Sequence, residues 1–226
     1  MIRLQIRSLI RKRLGETTAA FWLDTELNTW IDDACTDIAF RTKCLKTDSF
    51  LTPSFNIGEY SLNSSFPNIL SIDDVYFFQS ASSDTTNSTF QRLVSTDRLQ
   101  LDIEYPGWKS VQAGVPTHYY YDREDDLFGI YMKPDTNNAG TNYCRVYYRK
   151  KHTNISDDNS TPDIPENLHL GITDYVVALG FEQRGFGDKA NDAWQKYFAK
   201  IKDYEVERMR EKEDDDIVSR NYRNIY

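Results

Sequence analysis

Apolar residues recur at helical spacing at both ends of this chain and at strand spacing between them, an order that few architectures accommodate. Ile2, Ile6, Leu9, Ile10 and Leu14 share one helical face, Arg3, Arg7 and Arg11 another, and Gly15 supplies a left-handed stop. Asp24 is placed to cap a second helix running to about Leu45, in which Leu27, Trp30, Ile31, Ala34, Ile38 and Ala39 keep a spacing of three and four. From Pro53 the pattern becomes β-branched and aromatic, through FNIGEYSL and NILSIDDVYFF, with further strands expected over 116–121, 127–132 and 143–151. STDRLQLDIEY reads as a short helix capped by Ser95.

The stretch HTNISDDNSTPDIP has no apolar period and reads as a linker, with helices resuming at Pro165. Leu168, Ile172, Tyr175, Val176, Leu179 and Phe181 form a broad apolar stripe ending near Gly185. Trp194, Tyr197, Phe198, Ile201 and Tyr204 carry a last helix to about Lys212. The fold class expected is α+β. An antiparallel helical bundle spans 1–50 and 163–213, a central β-rich insertion lobe spans 51–162, and an extended C-terminal tail spans 214–226. That tail holds Ile217, Val218, Tyr222, Ile225 and Tyr226, anchors that a purely solvating tail would not need, so it is expected to order on a partner.

The formal net charge of −8 argues against sequence-independent nucleic-acid binding, which needs a dominating basic surface to displace counterions from phosphate. Fifteen Tyr and twelve Phe suit strands and wet-edged interfaces. No run of about 18 apolar residues and no signal peptide is present, so a soluble, unsecreted protein is expected. Cys35, Cys44 and Cys144 are odd in number and read as reduced thiols.

Catalytic constellations are absent from the pattern. His118, His152 and His169 occur singly, without metal-ligand spacing. Gly180, Gly185 and Gly187 follow a helix, whereas a phosphate-binding loop follows a strand. The acidic groups at Asp73 and Asp74, at 122–126, and at Asp157 and Asp158 lack the alternating ligands of a calcium loop and read as solvated charge. There is no Gly-x-Ser-x-Gly elbow. No enzyme activity, catalytic residue, metal or cofactor is expected. The basic face of the first helix points to an acidic protein surface, either a neighbour's or the chain's own last helix.

The chain resembles the head-to-tail adaptor proteins of tailed bacteriophages, including the tail tubular adaptors of short-tailed phages. The likeness rests on IRSLIRKRLGE, FWLDTELNTWIDDACTDIAFRT, IGEYSLNSSFPNILSIDDVYF, WKSVQAGVPTHYY, IYMKPDTNNAG and TPDIPENLHLGITDYVVALGFEQRG, in that order. It implies a structural virion protein at the head–tail junction, made in the host cytoplasm. It further implies a homo-oligomeric ring, expected as a dodecamer, that binds the portal protein and connects it to tail or nozzle proteins. The ring would form part of the DNA channel without sequence-specific or membrane contact. Family members send a C-terminal segment into the portal, which marks Ile217, Val218, Arg220, Tyr222, Arg223, Ile225 and Tyr226 as docking residues. Opposite charge suggests Arg3, Arg7 and Arg11 against Glu205 and Glu211 as an inter-subunit pair. The alternative reading is a virion carbohydrate or host-surface binding protein, which expects a pocket of stacked aromatic rings.

Overall fold

The computed structural model describes residues 1–16, 21–78, 90–140 and 144–223, with side chains described as far as residue 210. It is an α+β protein that divides into two compact units, 1–45 with 151–226, and 46–150.

The first unit is helical. Its elements are α1 (Arg3–Leu14), α2 (Asp24–Thr42), α5 (His169–Gln183) and α6 (Gly187–Arg223). Ile6 and Ile10 of α1, Leu27, Ile31 and Ile38 of α2, Ile172 and Val176 of α5, and Tyr197 of α6 are all fully buried in one core. At about 1.5–3 kcal/mol for each large apolar side chain removed from water, this shared core is the main force holding the four helices together. Helix α5 is apolar on most sides because α1, α2 and α6 all pack against it. Gly180 makes the α1 contact possible, since a Cβ there would come within 2.8 Å of the Leu14 side chain.

Three boundaries differ from the sequence pattern. Leu23, not Asp24, takes the extended N-cap conformation of α2, and the helix stops at Thr42, where Lys43 turns left-handed. Residues 151–164, read as a linker, pack into the helical unit: Ile155 and Ile164 are buried in its core. Residues 214–223, expected as an extended tail, continue α6 as helix. No glycine or proline follows Gly187 to interrupt it. At 1.5 Å per residue, the 37 residues of α6 span about 55 Å.

The second unit holds β1 (Lys46–Leu51), β2 (Glu59–Ser61), α3 (Leu62–Ser65), β3 (Ile69–Phe78), β4 (Phe90–Arg92), β5 (Val94–Ser95), α4 (Arg98–Glu104), β6 (His118–Asp122), β7 (Leu127–Tyr131) and β8 (Cys144–Lys150). One sheet has the order β1-β8-β3-β4 and the other β2-β7-β6-β5. Val75, Phe77, Cys144 and Val146 of the first share a core with Phe128, Ile130 and Tyr119 of the second. Asp97, not Ser95, caps α4, its carboxylate accepting from the Gln100 amide at 2.7 Å. Asp73 is the extra residue of a bulge between Ile72 and Asp74, and it reaches Arg149 at 2.7 Å.

Gly129 faces Tyr120 across the β6–β7 pair, and a Cβ at Gly129 would fall 2.0 Å from the Tyr120 ring. The missing side chain is what lets that ring lie flat over the neighbouring strand. Gly129→Ala is therefore expected to destabilise the protein by about 1–3 kcal/mol, the usual cost of overpacking, read as a lowered urea midpoint.

Candidate functional site

Spacing of four places Arg3, Arg7 and Arg11 in a row along α1. The structure buries that row, leaving each residue 7–8% exposed. Arg7 grips Asp158 with two parallel bonds, at 3.0 and 2.7 Å, and reaches Asn28 at 3.0 Å. Arg3 bonds the same carboxylate through Nε at 2.9 Å and donates to the Ile155 carbonyl. Arg11 pairs with Glu16 at 3.0 Å, with the Trp22 carbonyl at 3.0 Å, and with Asp24. Glu16 is itself buried and also takes Arg184 at 3.3 Å and the Phe21 amide at 2.8 Å.

The arginines expected to face a neighbouring subunit, Arg3, Arg7 and Arg11, thus find carboxylate partners within their own chain. Their charge is neutralised inside the chain, by a loop carboxylate and the α1–α2 turn and not by the last helix. Asp158 is likewise not solvated loop charge. Of the proposed acidic partners, Glu205 is half-buried on α6, and the side chain of Glu211 lies outside the described residues.

The 151–164 segment is tied down at further points. The Ser160 and Asp158 carbonyls accept from the first free amides of α1, Arg3 at 2.9 Å and Leu4 at 3.0 Å. Asp32 of α2 accepts from the Ile155 amide at 3.0 Å and faces His152 Nε2 at 3.4 Å, while His152 Nδ1 meets Asp163. His152 is thus partnered by two carboxylates, a contact that spacing could not reveal because Asp32 is 120 residues away.

That cluster does not make a nucleophile. Burial drives the Cys35 thiol strongly up, and the charges of Asp32 and Asp163 push it further, opposite to the activation a reactive cysteine needs. Cys144, fully buried, is pushed up to about 12. Among the described residues no group of three or more His, Cys, Asp or Glu is placed to hold a metal ion. None of the described helices is long and apolar enough to cross a membrane.

The docking residues expected near the C-terminus fall on α6. Ile217, Val218, Arg220, Tyr222 and Arg223 continue its helical backbone, with side chains outside the described residues. Ile225 and Tyr226 lie outside the described residues altogether.

Two open clefts stand out. In the second unit, a cleft of about 480 Å³ on the β1-β8-β3-β4 sheet is lined by Tyr76, Tyr147, Phe78 and Phe90, with Lys46 and Arg145 at its rim. Tyr76 meets Phe90 at 70° and Tyr147 at 87°, and Phe78 is tilted by 48° against Phe90, so these pairs form no flat stacking platform. The other cleft, about 510 Å³, lies among α1, α5 and α6.

Removing Glu16 would take one of the two carboxylates that hold the buried Arg11 guanidinium and also the one that Arg184 reaches, so Glu16→Ala is expected to cost about 1–3 kcal/mol in urea unfolding. Hydrogen bonds from Arg7, and secondarily Arg3, hold the Asp158 carboxyl below the usual carboxylate range. A carboxyl lowered by folding contributes stability that is complete above its unfolded value, about 3.9, and is lost as pH falls through the folded value. Asp158→Asn is therefore expected to give a shallower loss of stability below about pH 4 than the parent chain, measured as urea midpoint against pH.

No curated protein matches the sequence. The family model of the SU10 adaptor protein, by contrast, matches residues 1–222, spanning α1 through nearly all of α6. The chain therefore belongs to this family of phage head-to-tail adaptor proteins.

Proposed function

We propose that the protein assembles into a ring, a dodecamer in the reading the resemblance gives, which binds the portal and joins it to the tail at the head–tail junction of the virion. DNA passes through the ring without sequence-specific contact. The observation that carries this reading is the family match over residues 1–222, which includes both helical ends and the sheets between them. Partners among portal and tail proteins follow from membership of an adaptor family.

The form of α6 refines how the portal is engaged. As positions on a helix at 100° per residue, Ile217, Val218 and Tyr222 fall within one 140° arc, while Arg220 and Arg223 fall on the opposite side. That arrangement supports a helix laid into an apolar groove, with the positions of Arg220 and Arg223 at its margin. It replaces the extended tail expected from residue 214 onward with helix as far as Arg223.

A second reading, binding of a glycan or host surface, draws on the aromatic cleft lined by Tyr76 and Tyr147. The edge-to-face rings give it less support than stacked rings would.

Electron microscopy of the protein co-expressed with its cognate portal, beside a version truncated after Lys212, separates the readings. The expected result is a ring capping the portal that disappears on truncation. A portal left bare by the full-length chain would contradict portal docking and make glycan binding by the isolated protein the next assay.

A further inference from the structure

We propose that the cleft among α1, α5 and α6 receives the acidic run of α6 from a second copy of the chain. The proposal rests on the ring reading and assigns one contact within it.

Four cationic side chains line the cleft, Arg13, Lys189, Lys196 and Lys200, against the two carboxylates of Asp174 and Asp192. The result is a local excess of two positive charges on a chain whose net charge is −8. Asp174, only 2% exposed, takes both Arg13 and Lys200, the latter at 2.5 Å, so one carboxylate holds two cations at the cleft floor. Lys189 lies over the Phe181 and Phe186 rings at 5.6 and 5.2 Å and makes no ion pair among the described residues. Lys196 is exposed and has no hydrogen bond or ion pair among the described residues.

The densest acidic run in the chain is Glu211, Glu213, Asp214, Asp215 and Asp216, interrupted only by Lys212. It lies on the same helix as three of the cleft cations. From Lys196 to Glu213 is about 26 Å along the axis, with no glycine or proline between them to allow a bend. A continuous helix cannot deliver its own acidic run back to its own cleft. Within the ring reading, the complementary run comes from another copy.

Two unlike, complementary surfaces on one chain are the requirement for head-to-tail association, which gives a ring wherever the rotation closes. Each exposed ion pair is weak, but several repeated at every subunit boundary make a salt-sensitive contact. This cleft therefore takes the role that the sequence assigned to Arg3, Arg7 and Arg11, whose charge is consumed inside the subunit.

The test uses the full-length chain co-expressed with its portal, with ring occupancy counted by electron microscopy and native mass spectrometry. Three variants are compared with the parent: Lys189→Glu with Lys196→Glu, Asp214→Lys with Asp215→Lys, and all four together. Far-UV circular dichroism and the urea midpoint check folding: Lys189 and Lys196 are exposed, and Lys189→Glu removes the contact with the Phe181 and Phe186 rings. Each double reversal is expected to weaken ring formation about tenfold or more at about 0.1 M salt, and the fourfold variant to recover it. Rings unchanged by either reversal, or reversals that are not rescued in combination, would overturn the cleft assignment while leaving the ring reading intact. A parent chain that forms no ring would overturn both.

Discussion

The bidentate grip of Arg7 on Asp158 is the contact around which the helical unit is organised. The chain leaves this unit at residue 45 and returns at 151, so something must fix where the returning strand lands. Asp158 does so by taking Arg3 and Arg7 together, while the adjacent carbonyls cap the start of α1. Asp32 and His152 pin the same segment to α2. A buried ion pair adds little net stability over a well-packed apolar contact, because desolvation offsets the attraction. Its value here is register: an α1 rotated by a quarter turn would leave three guanidinium groups buried without partners.

Local periodicity made α1, α2 and α5 legible in the sequence, since each buries a stripe recurring at three and four residues. The strands at 118–122, 127–131 and 144–150 were equally visible, through aromatic and β-branched runs. Strand β1 was not. Its KTDSFL alternates exposed Lys46, Asp48 and Phe50 with half-buried Thr47 and Ser49, so only Leu51 supplies an apolar signal. The 151–164 segment escaped for a related reason. Its two core residues, Ile155 and Ile164, show no period, and its ties to α1 and α2 are polar contacts between residues over 100 positions apart, so composition alone made it resemble a solvated linker.

The arginine row illustrates how charge sign alone misleads. An amphipathic helix with a basic side looks like a surface reader, yet that side carries three of the ten buried polar or charged residues among the described ones. What distinguishes a satisfied cation from a free one is the carboxylate opposite it, and Asp158 lies some 150 residues away from its partners. Three of the four basic side chains that line the cleft among α1, α5 and α6 sit near the start of α6, while acidic charge gathers toward its far end. A single 37-residue helix thus carries opposite charge at two separated places, a polarity suited to repeating contacts between like subunits.

A map of the portal-bound assembly at side-chain resolution would test this account most directly, because it shows which chain owns the carboxylate facing each α1 arginine. The account predicts Arg3, Arg7 and Arg11 paired with Asp158, Asp24 and Glu16 of their own subunit, and the far end of α6 as helix in contact with another chain. Guanidinium groups of α1 reaching across a subunit boundary would contradict it.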